Sequence, residues 1–104
     1  MSILRIREED LEFIDIDGGG IPIYHYQGNP FTGLLLEYYD NIFHREIEYI
    51  NGYQDGVERV FYENGNIKYE FHSKNNKPHG TTKHWDDQGN LLSITEWKDG
   101  VKIN

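Results

Sequence analysis

Hydrophobic and polar residues alternate in short runs along this chain, with turn-forming residues between the runs. Phe43, Ile47 and Tyr49 alternate with His44, Glu46 and Glu48, the pattern of a strand half buried on a sheet. Val57 to Tyr62 and Ile67 to Phe71 are aromatic and β-branched, and they flank Glu63-Asn64-Gly65-Asn66. Asn-Gly between two such runs is a strong hairpin signal, because both residues accept positive φ. A two-residue Asn64-Gly65 turn predicts Tyr62 opposite Ile67 and Arg59 opposite Glu70. Val60, Tyr62, Ile67, Tyr69 and Phe71 then share one face, and Arg59, Phe61, Lys68 and Glu70 the other. Leu91, Leu92 and Ile94 put apolar groups on both sides of one strand. That end is either covered by the final Val101-Lys102-Ile103 or left adhesive.

These runs recur. Gly33, Gly56 and Gly80 stand 23 and 24 residues apart, and Tyr38, Phe61 and Trp85 each lie five positions past the glycine. Turn pairs follow at Asp40-Asn41, Asn64-Gly65 and Gln88-Gly89. A second strand comes next, and a closing turn at Asn51-Gly52, Asn75-Asn76 and Asp99-Gly100. Gly28 takes the same closing role for a partial unit upstream, and the first hairpin is one residue shorter because no glycine follows Asn41. A fixed period in this range means one supersecondary unit stacked on its copies. The expectation is an all-β fold: tandem β-hairpin repeats forming an elongated, twisted antiparallel meander sheet of seven to nine strands. It forms a single domain over residues 1–104, with acidic N-terminal strands in 1–21 and repeats in 22–104. Ile3 to Arg7 and Leu11 to Asp17 read as the N-terminal strands. Gly18-Gly19-Gly20 reads as a flexible connection, and Glu8 to Phe13 carries only a weak helical signal.

Composition narrows the function. The chain has 104 residues and no cysteine, which excludes disulfides, thiolate zinc sites and a cysteine nucleophile. Charged residues arrive too early for a secretory signal, and no apolar run approaches the ~20 residues of a membrane helix, so a cytoplasmic location is expected. Residues 1–55 hold 11 acidic and 3 basic side chains, and residues 56–104 hold 7 of each, so the whole net charge of −8 lies in the first half. Nucleic acids and anionic membranes call for the opposite sign. An excess of this kind serves solubility, or it matches a basic partner.

The segments Phe61 to Glu70 (FYENGNIKYE), Asn76 to Gly80 (NKPHG), Asp87 to Leu92 (DQGNLL) and Gly28 to Gly33 (GNPFTG) resemble the variant MORN repeat found in bacterial antitoxins and immunity proteins. The resemblance spans roughly residues 22–104. It implies the hairpin-repeat fold and a role as antitoxin or immunity protein. Such a protein binds a cognate protein toxin, here one with a basic nuclease domain, and occludes its functional surface. Two departures touch local turn geometry: Asn41 lacks its glycine, and Asn76 stands where glycine is usual.

No residue pattern supports catalysis, a cofactor or a metal. His25, His44, His72, His79 and His84 lack metal-motif spacing, although His44 and Glu46 share a strand face. Glu46 and Glu48 lie on one side of a strand with no sign of a cleft, so a solvated face is the default reading. Gly18-Gly19-Gly20 has no helix start after it to cradle phosphate. Most of the fifteen aromatics are expected to pack along the stack. The expected partner surface consists of Glu8, Glu9, Asp10, Glu12, Asp15, Asp17, Glu37, Asp40, Glu46 and Glu48, whose carboxylates meet toxin Lys and Arg. Tyr38 and Tyr39 act there as desolvated anchors. The alternative is a structural scaffold, self-assembling as a homodimer through a sheet edge or the third repeat.

Overall fold

In a computed structural model that describes residues 3–74 and 77–104, the chain is built almost entirely of strands. These are β1 (Arg5–Arg7), β2 (Glu12–Ile16), β3 (Pro22–Tyr26), β4 (Asn29–Pro30), β5 (Gly33–Tyr39) and β6 (Ile42–Ile50). Then come β7 (Tyr53–Phe61), β8 (Ile67–Lys74), β9 (Lys77–Pro78), β10 (Gly80–Trp85), β11 (Leu91–Lys98) and β12 (Val101–Lys102). The weak helical signal near Glu8 resolves into one 3-10 turn, Glu8–Asp10. The repeats form one sheet in the order β1-β5-β6-β7-β8-β10-β11-β12, with β9 paired to β8 ahead of β10. All-β hairpin repeats are therefore the architecture.

Two features were not expected from the sequence. β1 joins the sheet edge parallel to β5, with Arg5, Ile6 and Arg7 opposite Leu34, Leu35 and Leu36. The segment from Glu12 to Pro30 makes a second, three-stranded sheet, β2-β3-β4, instead of extending the first. It is tied on by Tyr24 N–H to Gly52 O (3.0 Å) and Gly52 N–H to Phe31 O (2.8 Å). The Tyr49 hydroxyl donates to Pro22 O at 3.0 Å. Between the sheets lies the core of Tyr24, Phe31, Leu35, Ile47 and Tyr49, with Ile6, Leu11 and Tyr26 against it.

Turn chemistry sets the register. Gln27-Gly28, Asp40-Asn41, Asn51-Gly52 and Asp99-Gly100 all have both φ values positive, the mark of two-residue type I′ hairpins. The Asn75-Asn76 turn lies outside the described residues. The second and third repeats use a longer turn: Tyr62 N–H reaches Asn66 O (2.8 Å) and Gly65 N–H reaches Tyr62 O (2.9 Å), with a matching pair at Asp86 and Asn90. The turn is thus Glu63-Asn64-Gly65, one residue longer than expected, with Gly65 in a bulge at φ 91°. Gly18-Gly19-Gly20 is the same turn again, closed by Asp17 N–H to Ile21 O (2.9 Å), and not a flexible connection.

Each hairpin carries a further bulge a few residues past its turn. Tyr38 faces Phe43, Phe61 faces Ile67 and Trp85 faces Leu91, leaving His44, Lys68 and Leu92 as the extra residues. This corrects the expected pairing. Arg59 does face Glu70, but Ile67 pairs with Phe61 and moves to the face of Arg59 and Glu70. His44 likewise turns away from Glu46.

Candidate functional site

The large sheet has two unlike faces. One carries Leu35, Ile47, Glu58 and Phe71 in a single cross-strand row, with Glu37, Arg45, Val60 and Tyr69 in the next. The small sheet covers this face over β5 to β7. The other carries Arg5, Leu36, Glu46, Arg59, Glu70 and Lys83, and among the described residues no second layer lies on it.

Three of the expected partner-binding carboxylates turn inward. Glu37 is buried and its Oε2 accepts from Arg45 Nη2 at 2.6 Å. Arg45 also reaches Glu58 at 3.2 Å, while His44 stands 3.9 Å from Glu37. Burial works against the Arg45 cation, but the Glu37 and Glu58 carboxylates outweigh it and raise its pKa. The Arg45 Nε is buried without a partner. Glu46 is buried between Arg5 (3.9 Å) and Arg59 (3.7 Å), and Arg59 bridges on to Glu70 at 3.0 Å. Glu48 Oε1 accepts from Val57 N–H at 3.2 Å, closing a break in the β6–β7 ladder. These acids hold the sheet together.

The N-terminal acids are placed otherwise. Glu8, Glu9 and Asp10 form the exposed 3-10 turn, and β2 is exposed along its whole length. Glu9 stands 3.7 Å from Arg7, Glu12 accepts from Gly28 N–H at 3.1 Å, and Asp15 accepts from Ile16 N–H at 2.7 Å. Asp17 stands apart from them: its Oδ1 caps Gly19 and Ile21 N–H in the glycine turn. Partial burial, and then the Glu37 charge, push the Glu8 carboxyl above the usual range. Interleaved with these acids are Phe13, Ile14 and Ile16, 59%, 50% and 53% exposed. The sequence reading missed these three. Their signal was the Leu11 to Asp17 run itself, which puts an acid and an apolar group on both faces of one strand.

The remaining expected residues sit at the first repeat's turn. Tyr38 lies under the Arg7 guanidinium, 4.0 Å from its ring centre, and against Phe43 at 5.3 Å. Tyr39 is exposed and its ring meets His44 at 4.9 Å. Asp40 occupies the left-handed turn position. Tyr38 adjoins the N-terminal acids through Arg7 and Glu9; Glu46 and Glu48 do not. Among the described residues no three His, Asp or Glu side chains converge as a metal site would need, and no helix is long and apolar enough to cross a membrane.

A family model described as MORN repeat variant matches residues 54–75 and 78–99. The two matches are offset by 24 residues (78 − 54), the same step that separates Gly56 from Gly80. MORN repeats suggest a protein-interaction or repeat-scaffold role. No curated protein and no solved structure matches the chain.

Proposed function

We propose that this chain is an antitoxin or immunity protein, acting by contact rather than catalysis to cover the functional surface of a basic toxin domain. One observation carries this reading: Glu8, Glu9, Asp10, Glu12 and Asp15 lie exposed along one edge, interleaved with exposed Phe13, Ile14 and Ile16. Carboxylates placed so attract a cationic surface and set specificity, while the apolar groups supply area that water leaves on contact. β2 is also an edge strand, whose outer side offers backbone groups to another chain. Glu37, Glu46 and Glu48 drop out of the contact list because their charges are spent on Arg45, Arg5, Arg59 and the Val57 amide.

The test is reversal of Glu9, Asp10, Glu12 and Asp15 to lysine, with circular dichroism to check folding, and co-expression with a toxic product of the reading frames that flank this gene. The reading expects protection to be lost and co-purification to fail. Full protection by the folded variant would refute it.

A second reading is a self-assembling scaffold. It draws on Leu91, Leu92, Ile94, Val101 and Ile103, all exposed at the far end of the large sheet. Sedimentation over a hundredfold concentration range separates the two readings, since a monomer throughout ends the second.

A further inference from the structure

The uncovered face of the large sheet bears an apolar stripe beside its turns. Tyr38, Phe43, Phe61, Ile67, Trp85 and Leu91 come from six successive strands and fall in one line, because each hairpin pairs its aromatic with the first apolar residue after the turn. Phe43 and Phe61 continue the line between hairpins, with ring centres 5.1 Å apart. Six strands at their usual spacing make the stripe about 24 Å long. Tyr38, Phe43, Phe61, Ile67 and Trp85 are half-buried and Leu91 is exposed, and no second layer lies over them among the described residues. An apolar band of this length, rimmed by polar groups, is the kind of patch that marks an interaction surface.

The inner rim alternates in sign along Glu46, Arg59, Glu70 and Lys83, and the turn side is acidic alone. That side runs Asp40, then Glu63, then Asp86 and Asp87, and these turns hold no lysine or arginine. A small cavity of ≈ 130 Å³ opens between Phe43 and Phe61, walled by Asp40 and Glu63. The neighbouring turns are locked together: Asn64 and Asn66 side-chain amides both donate to Asp87 O, at 2.8 and 3.0 Å. The rim is therefore preformed. At its other end the stripe runs into Tyr38 under Arg7, and Arg7 reaches Glu9, so it is continuous around the β1 edge with the N-terminal acidic strip.

We propose that this stripe seats an extended basic segment of the partner protein, apolar side chains against the aromatic line and lysines or arginines over the turn carboxylates. The inference rests on the partner-binding reading above and adds a second contact surface to it. An extended segment fits because the line is straight and one side chain wide, and because alternation in a strand sends apolar and charged groups to opposite sides.

The probe is a synthetic twelve-residue peptide alternating lysine and valine, with a glutamate–valine peptide as the charge control. Binding is followed by Trp85 emission in a Trp97→Phe background. A rim variant combining Asp40→Asn, Glu63→Lys and Asp87→Lys leaves the stripe and the Asn64 and Asn66 amides in place. Saturable binding of the lysine peptide, none of the glutamate peptide, and at least a tenfold weaker complex with the rim variant are expected. No saturable binding, or equal binding by the rim variant, would overturn the proposal. Toxin capture separates it from the reading it rests on. A rim variant that captures toxin as well as the parent chain removes the stripe and leaves the reading standing. A parent chain that captures no toxin removes the reading, while peptide binding still decides the stripe.

Discussion

The Glu48 carboxylate stands where a side chain on Gly56 would have to go. Glu48 Oε1 accepts from Val57 N–H at 3.2 Å, and a Cβ built on Gly56 would meet the carboxyl carbon at 2.6 Å. Gly56 also has φ 104°, in the region that favours glycine. The repeat glycine is thus kept by both its backbone angle and its neighbour's charge. Gly56→Ala should destabilise the fold by about 2 kcal/mol, since it adds strain and displaces the carboxylate from an amide left unsatisfied. In a Glu48→Ala background the same change should cost about half as much, because only the backbone term remains. Urea melts of the four chains in this cycle measure both values.

Arg45 is the cation on which two inward carboxylates depend. It bridges Glu37 and Glu58 at 2.6 and 3.2 Å, and Glu37 is buried. Arg45→Met should therefore cost about 3 kcal/mol, the usual scale for leaving a buried charge without its partner. With Glu37→Gln and Glu58→Gln already in place, the same substitution should cost under about 1 kcal/mol, as no orphan charge is left. Near-equal costs in the two backgrounds would show that Arg45 contributes through packing alone.

Glu8 gives a pH signature. Burial and the Glu37 charge raise its pKa in the folded chain, so the folded state binds its proton more tightly than the unfolded state does. The contribution of the protonated group is complete below the unfolded value and is lost as pH rises through the folded one. Glu8→Gln should accordingly raise the melting midpoint at neutral pH. The gain should shrink as pH falls through the carboxylate range. Thermal melts of both chains between pH 3 and pH 8 check the sign; a variant less stable at neutral pH contradicts it.

The repeat itself was legible because its punctuation is local. Asn51-Gly52 and Asp99-Gly100 adopt the left-handed pairs their side chains favour, and Gly65 and Gly89 sit at positive φ as turn glycines should. The bulges at His44, Lys68 and Leu92 were not legible, since one extra residue in a ladder leaves composition and spacing unchanged. Nor was the second sheet. Leu11, Tyr24 and Tyr26 look the same in sequence whether they extend a sheet or fold back over one, and long-range packing on Tyr49 decides the matter. The site divided along the same line. Acids on the outer edge at Glu9, Asp10, Glu12 and Asp15 stayed exposed. Glu37 and Glu48 instead met Arg45 and the Val57 amide on the next strand, where bulges and ladder breaks set the pairing, and Glu46 met Arg59 and the distant Arg5.

Asp86 replaces backbone partners in the third turn. Its Oδ1 accepts from Gln88 N–H at 3.0 Å and Asn90 N–H at 2.9 Å, and its Oδ2 accepts from the Asn90 amide at 3.1 Å. These bonds to Asn90, then those to the turn amides, hold its carboxyl below the usual range. A lowered folded pKa gives stability that is present above the unfolded value and lost as pH falls through the folded one. Asp86→Asn should then be less stable than the parent chain at pH 7 and equal to it near pH 2. A gap that persists at pH 2 would assign the effect to shape instead of charge.

The far edge of the large sheet is guarded by a short strand. β12 pairs with only Trp97 and Lys98 of β11, and its last tie is Ile103 N–H to Glu96 O at 2.9 Å. The expected cover by Val101-Lys102-Ile103 is thus partial, and the edge from Leu91 to Thr95 is left to the bulge at Leu92 for protection. Bulges twist an edge away from regular pairing, so two partial devices together blunt this one. Ile103→Pro removes the amide that closes β12 and should free Glu96 and its neighbours for pairing with a second chain. The variant should show a weight-average mass that climbs with concentration in sedimentation runs where the parent chain's climbs less. Adding Ile94→Lys, which places a charge on the exposed edge, should reverse that rise. If the proline variant and the parent chain sediment alike at every concentration, β12 is not what protects this edge.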